Sequence, residues 1–543
     1  MSFVETILSQ LQSVPDRRVL TEVNAHTGKS DFSADVVLSR VQSARSYLKA
    51  SGVKPGDRVA LLAPNSADWV AVDLAILAEG AIVVPLYSRQ DPDELAVMMR
   101  DCTPSLLIAA NETLAAALGK AWPEACTTVL FPELFASAPT VEPPHSIAAE
   151  DTVTIIYTSG TSGVPKGVML SRANCDFMLP ATVDALAAIT GGRDGIDEVF
   201  HFLPFCFAGS RIMLWTQLYR SNPIVVSTDL TQLVDEMKLA DPHYYLNVPA
   251  VLERIRAGVS AKVRERGGLV QTLYENGIAA EKARRAGRIG LLDRLWLGLA
   301  RAAVFPKLKQ AIGPRLEFLI CGSAPLSADT QAWFEAIGVR VYQVYGLTET
   351  TAIVTMDTRH SAEAGKVGVA VDGVEVQLTE ENELVVRGPN IFSGYWNRPE
   401  ATKDAIRNGW FHSGDKAELD EQGRWKIIGR VKNLLVPESG HNIAPEPLEQ
   451  LLRAACEGME HAVVIGHGRP YLTAIVTGVM TDEAVREALA VVNGQVPHYR
   501  KIRKFHRAEI FTIESGLLTA NQKLRRTVIE KHFTAAIDGM YAS

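Results

Sequence analysis

The chain is predicted to be an α/β protein: a large N-terminal domain built from parallel-sheet α/β subdomains plus a β-rich subdomain, followed by a small α+β C-terminal domain. Three observations carry this prediction. Apolar runs alternate with helical periodicities in a βαβ rhythm from residue 59 onwards, which calls for a parallel sheet covered by helices. Near residue 365 the texture changes to short alternating segments parted by turn residues, the pattern of hairpins. The 543 residues also exceed what one hydrophobic core organises, since a domain typically holds roughly 100–200 residues.

Taken in order, Ser33 or Asp35 can cap a helix whose apolar positions Val37, Val41, Ala44 and Leu48 recur at helical spacing. Residues 59–63 read as a buried strand, 67–79 as a helix with Trp69, Val72 and Ile76 inward, and 81–86 as the next strand. Asp91 and Pro92 suit the cap and first position of a further helix, and 105–110 supply another strand. Short strands are expected at 200–204, 224–227, 244–248, 316–321 and 339–344.

Residues 257–313 turn helical and basic, with Lys262, Arg264, Arg266, Lys282, Arg284, Arg285, Arg288, Arg294 and Arg301 beside an apolar stripe of Leu291, Leu292, Leu295, Trp296 and Leu299. Such a stretch can lie on an anionic membrane surface or guide an acyl chain; a solvated helix packed on the core is the commoner outcome. Beyond residue 365, strands are expected at 374–378, 383–387, 416–419 and 425–428, then a helix at 445–455 and strands at 462–466 and 472–477. The division is placed at 1–428 and 429–543.

Composition narrows function. With 47% hydrophobic and 22% charged residues and a formal net charge of −7, no global field favours nucleic acid, so a small partner is expected. The six cysteines contain no C-x-x-C pair, which indicates neither a disulfide framework nor a zinc site. No window has the roughly 18 uninterrupted apolar residues of a span, and the first residues lack a basic stretch ahead of an apolar core. The chain reads as soluble and cytoplasmic.

Chemistry is concentrated in residues 157–174, YTSGTSGVPKGVMLSRAN. A loop with Thr158, Ser159, Gly160, Thr161, Ser162 and Gly163 can turn backbone N–H groups and hydroxyls inward, and Lys166 in the same loop adds a point charge, a combination suited to a polyphosphate. The spacing is not that of a Walker loop. Joined to YGLTET (345–350), CGSAPLS (321–327), GWFHSGD (409–415), GRVKNLLVPESGHNIAPEPLE (429–449) and GLLTANQKLRR (516–526), this string resembles the AMP-forming acyl-CoA synthetase superfamily of adenylating enzymes. Residues 245–324 look most like the long-chain fatty acyl-CoA synthetase branch.

The resemblance implies activation of a medium- or long-chain fatty acid by ATP to an acyl-adenylate, then transfer to coenzyme A, with Mg²⁺ as cofactor. Adenylation of a β-hydroxy or aryl acid, transfer to a carrier protein, and a silent fatty-acid-binding homologue remain alternatives. A carboxylate needs no general base to attack phosphorus; the obstacle is two anions meeting, so cations and positioned donors are required. By resemblance, Lys166 holds the β- and γ-phosphates, Glu349 and Thr158 hold Mg²⁺, and Thr348 touches the α-phosphate. Ser323, Ala324, Gln343, Val344, Tyr345 and Gly346 form the adenine slot, with Tyr345 stacking on the base. Asp415 accepts both ribose hydroxyls, and Arg430 and Lys432 reach ribose or phosphate from the other side. Lys523, on a C-terminal domain that is mobile in the family, bridges the acid to the α-phosphate. Ser439, Gly440, His441 and Asn442 line the coenzyme A tunnel. The sequence departs from the family pattern at Gly429, a permissive residue at a hinge position where aspartate is usual, at Phe207, which replaces a frequent histidine, and at Ser413, which stands for threonine.

Overall fold

The computed structural model describes the chain except residues 125, 140, 160–164, 194–195, 514, 520–521 and 543, and the side chain of Ser159. It forms two compact units, one of Met1–Val376 with Val386–Phe411 and one of Gln377–Val385 with His412–Ser543. The expected border at 428/429 thus falls inside the second unit, within strand Trp425–Arg430. The reason is hydrogen bonding: Ser413 Oγ donates to the Leu384 carbonyl at 2.6 Å, Ala417 N donates to the Asn382 carbonyl at 3.1 Å, and residues 415–419 pair antiparallel with 425–430.

The first unit contains two large sheets. In the seven-stranded one, Arg58–Leu62 lies between Ile82–Leu86 and Leu106–Ala109, all parallel, and Thr152–Ser159 joins the far side of Ile82–Leu86. Pro165–Ser171 then returns antiparallel to Thr152–Ser159. Every residue of Ile82–Leu86 is buried, as a central parallel strand covered on both faces must be. The nine-stranded sheet runs parallel through Ile224–Ser227, Val199–His201, Tyr244–Asn247, Phe318–Cys321 and Arg340–Tyr345. Its far edge is the antiparallel pair Arg18–Asn24 and Gly28–Ser33, two strands for which the sequence offered no strong alternation.

Local signals explain the helix starts. Ser33 caps Ala34–Ala50, and Asp91 caps Pro92–Cys102 with proline at the first turn. Helix Ala67–Ala78 buries Trp69, Val72 and Ile76 as expected, and eleven of its twelve residues are buried in all, so it is enclosed rather than amphipathic. That enclosure includes Asp73, whose carboxylate receives Arg211 Nη2 and, at 2.8 Å, Trp215 Nε1, while Arg211 Nη1 donates to Thr154 Oγ1 at 2.5 Å.

His201 is also fully buried, with Nε2 against the Leu203 carbonyl and the Ser210 hydroxyl, and burial pushes its imidazole down to about 4. A histidine held neutral in the folded chain but titrating near 6.5 when unfolded contributes stability that is complete above about pH 6.5 and is lost as pH falls towards 4, about 3 kcal/mol in all. His461 is pushed down in the same way. The expected result is therefore comparative: between pH 6.5 and 4, denaturant midpoints of His201→Asn fall less steeply than those of the wild type, and parallel slopes would refute the role of His201.

The second unit packs helices Pro445–Ala455 and Asp482–Gln495 with a three-stranded sheet. In that sheet Met459–Ile465 is antiparallel and Ile502–Ala508 parallel to the central Leu472–Gly478. No helix among the described residues is long and apolar enough to cross a membrane.

Candidate active site

Strand Thr152–Ser159 and its return Pro165–Ser171 form a hairpin whose connecting residues, including the predicted Gly160, Thr161, Ser162 and Gly163, lie outside the described residues, as does the Ser159 side chain. Lys166 was expected in the loop but stands on the return strand, directly across from Thr158. The two are neighbours because an antiparallel register places opposite residues side by side. Gly167 follows where there is no room for a side chain: a Cβ would come 2.7 Å from Ile155 Cγ2.

The remaining first-unit groups gather at the carboxyl ends of the adjacent parallel strands Phe318–Cys321 and Arg340–Tyr345, where open α/β sheets present their binding crevices. One end delivers Ser323 and Ala324, with Ser323 in the left-handed region at φ 71°. The other delivers Tyr345, Gly346, Thr348 and Glu349. This turn is tight. A Cβ on Gly346 would meet the Ala352 carbonyl at 2.0 Å, and Thr351 and Ala352 both have positive φ. Asn390 locks the turn, donating to the carbonyls of Thr350 and Ile353 at 3.3 and 3.2 Å while its own carbonyl accepts Thr351 Oγ1 at 2.8 Å.

Tyr395 is one residue that the sequence alone does not point to. Lys166 Nζ sits over its ring, 4.9 Å from the centre, and its hydroxyl donates to Glu349 Oε1 at 2.8 Å. Strand Gly394–Tyr395 pairs with Met169 and Val168 of the return strand, and Phe392 N donates to the Glu349 carbonyl at 2.9 Å. One tyrosine therefore spaces the predicted phosphate cation from the predicted metal carboxylate. Nothing in its local sequence marks it; the link exists only through sheet pairing.

Gln343 lies near the end of strand Arg340–Tyr345. It is buried, and its Nε2 donates to Gln331 Oε1 at 2.8 Å, so it braces the strand from inside. Val344, half-buried, follows it on the same strand.

In the second unit, Asp415 is buried and its Oδ1 is 2.8 Å from Arg430 Nε, the two residues being register partners in the hairpin. Glu383, not singled out from the sequence, steadies this hairpin by accepting Gly414 N at 2.9 Å and contacting His412 Nδ1 at 2.8 Å. Lys432 is exposed just beyond. Ser439, Gly440, His441 and Asn442 form an exposed turn closed by the Leu435–Ile443 bridge, on which Tyr499 stacks against His441 with ring centres 4.1 Å apart. Lys523 is exposed on a turn closed by the Leu518–Leu524 bridge.

Gly429 was expected to be glycine for backbone freedom. Its φ is not positive, and it lies inside a strand paired with Lys416. What it provides is space: a Cβ there would stand 2.5 Å from Glu446 Oε2, whose other oxygen accepts Asn433 Nδ2 at 2.7 Å. Gly429→Ala is expected to cost about 1–3 kcal/mol by overpacking, and Gly429→Ala with Glu446→Ala should be more stable than Gly429→Ala alone. Chemical denaturation of the three variants checks this.

Among the described residues no group of three or more His, Cys, Asp or Glu could hold a metal. A Mg²⁺ bound mainly through phosphate oxygens and water needs no such group, and the half-buried carboxylate of Glu349 fits that donor set.

The fold and site thus define an α/β protein of nucleotide-binding design. Residues 9–396 match the AMP-binding enzyme family and residues 432–543 match the C-terminal domain of AMP-binding enzymes; the chain belongs to this family. It is 28% identical to the long-chain-fatty-acid–CoA ligase FadD15 of Mycobacterium bovis, over 94% of this chain and 92% of that protein. It is 27% identical to the peroxisomal long chain acyl-CoA synthetase 6 of Arabidopsis thaliana, over 90% and 78% of the two chains. Among solved structures, the A domain of carboxylic acid reductase from Segniliparus rugosus aligns with a TM-score of 0.79 at 20% identity, covering 100% of this chain and 94% of that one. ATP-bound MatB from Rhodopseudomonas palustris aligns at 0.76 and 22%, covering 98% and 99%. At these identities the two structures speak for the fold alone.

Proposed function

We propose that the protein is an AMP-forming ligase that activates a medium- or long-chain fatty acid with ATP and transfers the acyl group to coenzyme A. The observation that carries this reading is the Lys166–Tyr395–Glu349 arrangement at the strand ends of a chain whose end-to-end relatives are named as long-chain-fatty-acid ligases. In the first step a carboxylate oxygen of the acid bonds to the α-phosphorus of ATP, the bond from that phosphorus to the bridging oxygen breaks, and pyrophosphate leaves. Lys166 steadies the leaving charge and Lys523 the attacking and α-phosphate oxygens. Glu349 and the Thr158 hydroxyl would hold Mg²⁺, which when bound neutralises phosphate charge. Tyr345 stacks on adenine, and Asp415 holds the ribose diol while keeping Arg430 beside it. In the second step the thiol sulfur of coenzyme A bonds to the acyl carbon, the acyl–oxygen bond to AMP breaks, and the thiol proton passes to solvent. Movement of the segment that carries them exchanges Lys523 for the turn 439–442 between the steps.

Incubation with ATP, Mg²⁺, coenzyme A and fatty acids of graded length should yield AMP, pyrophosphate and acyl-CoA; release of no AMP at any length would overturn the reading. A second reading, another acid or a carrier-protein acceptor, draws on Phe207, whose ring packs 5.6 Å from that of Tyr87 where the family often has histidine. Pyrophosphate exchange without thioester formation would favour it.

Tyr395→Phe keeps the ring over Lys166 and removes the hydrogen bond to Glu349. A bond to a charged group contributes about 1.5–3 kcal/mol, so kcat/KM for ATP should fall about tenfold or more, and further in Tyr395→Ala. Steady-state kinetics at varied ATP decide this.

A further inference from the structure

Helix Leu291–Ala303 sends four leucines outward: Leu291, Leu292, Leu295 and Leu299 are 84, 73, 57 and 44% exposed. At about 100° per residue they share one face, opposite Leu297 and Ala300, which are buried in the core. The helix is already seated through that inner face, where the Gly277 backbone lies so close that a Cβ would come 2.3 Å from Ala300 Cβ. The outer leucines are therefore not core residues waiting for a partner within the unit. Leu269, at the start of the neighbouring helix Gly268–Arg285, is 71% exposed as well.

The charges around this face are sorted. Arg284, Arg285 and Arg301 converge on the buried Glu281. Arg288, three residues ahead of Leu291, and Arg294, one turn along the helix, have no carboxylate partner among the described residues. A leucine face edged by uncommitted guanidinium groups matches the two layers of an anionic lipid surface, with hydrocarbon for the leucines and phosphate for the arginines. A protein partner would have to offer both layers in the same order, and a second copy of this chain would bring like charges together.

We propose that helix Leu291–Ala303 docks this protein on an anionic bilayer surface, lying in the interface with its leucines among the acyl chains and Arg288 and Arg294 at the headgroup phosphates. Docking itself does not depend on the ligase reading; its use, drawing an acyl substrate from the bilayer, rests on that reading. The two are tested apart by measuring binding without any substrate.

The full-length protein is floated with vesicles of phosphatidylcholine alone and of equal parts phosphatidylcholine and phosphatidylglycerol. The wild type should float with the anionic vesicles and lose binding as salt rises. Leu291→Ser/Leu295→Ser/Leu299→Ser should bind at least about tenfold more weakly, and Arg288→Gln/Arg294→Gln should lose the salt-dependent part. Because the changed side chains are exposed, thermal melts and turnover of a short, water-soluble acid should match the wild type. Failure of the wild type to float, equal flotation of the leucine variant, or equal flotation with neutral vesicles would overturn the proposal. So would a dimer in size-exclusion chromatography that the leucine variant abolishes while flotation persists.

Discussion

Lys523→Ala is expected to slow adenylate formation by about 10²–10³-fold while leaving the fold intact, since removing one positioned donor from a developing anionic centre costs about that much. The backbone supports a charge effect rather than a folding effect. Thr519 N donates to the Lys523 carbonyl at 2.8 Å, Lys523 N donates to Thr519 Oγ1 at 3.1 Å, and Gln522 takes the left-handed conformation at φ 58°. Those contacts are made by the main chain or by other side chains and survive the substitution. Three residues on, Arg526 is tied to Glu449, whose Oε1 accepts Val464 N at 2.7 Å. The turn is thus fastened at its base. Burial pushes the Glu449 carboxyl up, against Arg526, which pulls it down, so this tie is held by a pair that neither partner can leave cheaply.

The readout is the contrast between half-reactions. Pyrophosphate exchange should collapse in Lys523→Ala, whereas thioester formation from supplied acyl-adenylate should stay within a few-fold of wild type. Lys523→Arg should restore little, because a planar fork does not replace a compact ammonium between two oxygens. Equal losses in both half-reactions would remove Lys523 from the adenylation step.

Asp73→Ala should destabilise the first unit by about 3–5 kcal/mol, the usual cost of stranding one member of a buried ion pair. Asp73 and Arg211 are 0 and 1% exposed. Burial pushes the Asp73 carboxyl up, against the pull of Arg211 and Trp215, and pushes the Arg211 guanidinium down, against Asp73. Without the carboxylate, Arg211 keeps Thr154 and the face of Trp215, 4.4 Å from its carbon, but no counter-charge. Thr154 lies on the strand that leads into the hairpin carrying Thr158 and Lys166, so on the proposed reading the damage should reach ATP binding as well as stability. Asp73→Asn, which retains an acceptor, should lose less than Asp73→Ala. Urea denaturation and the KM for ATP measure the two effects, and a loss below about 1 kcal/mol in Asp73→Ala would show that the site relaxes or hydrates.

Much of the architecture was legible because it is written locally. Strands such as Ile224–Ser227 and Glu383–Arg387 and the helix Pro445–Ala455 occur where apolar runs, alternation and a proline at the first turn announce them. The Arg18–Asn24 and Gly28–Ser33 pair was not legible: its second strand is largely exposed, so it carries no apolar alternation, and it is held by ladder bonds to a partner rather than by its own pattern.

The candidate site divides in the same way. The resemblance carried by the ordered motifs implied Lys166, Glu349, Asp415 and Lys523, because short strings of residue types are visible in one dimension. It could not name Tyr395, more than 200 positions from Lys166, or Asn390, or Glu383, since each acts through a hydrogen bond that exists only when distant strands pair. It placed Lys166 in a loop because proline and glycine on either side hide a strand whose register is set from across the hairpin. The same holds for the leucines of Leu291–Ala303, whose spacing showed a stripe but not which way it faced. The sequence by itself determined the family and the α/β class and, through the resemblance, pointed to the charged groups proposed for the chemistry, all from residue type and local order. Only the tertiary structure decided which neighbour braces each of those groups, what a side chain at Gly429 would meet and which face of a basic helix meets solvent, because burial and contact are set by the whole chain at once.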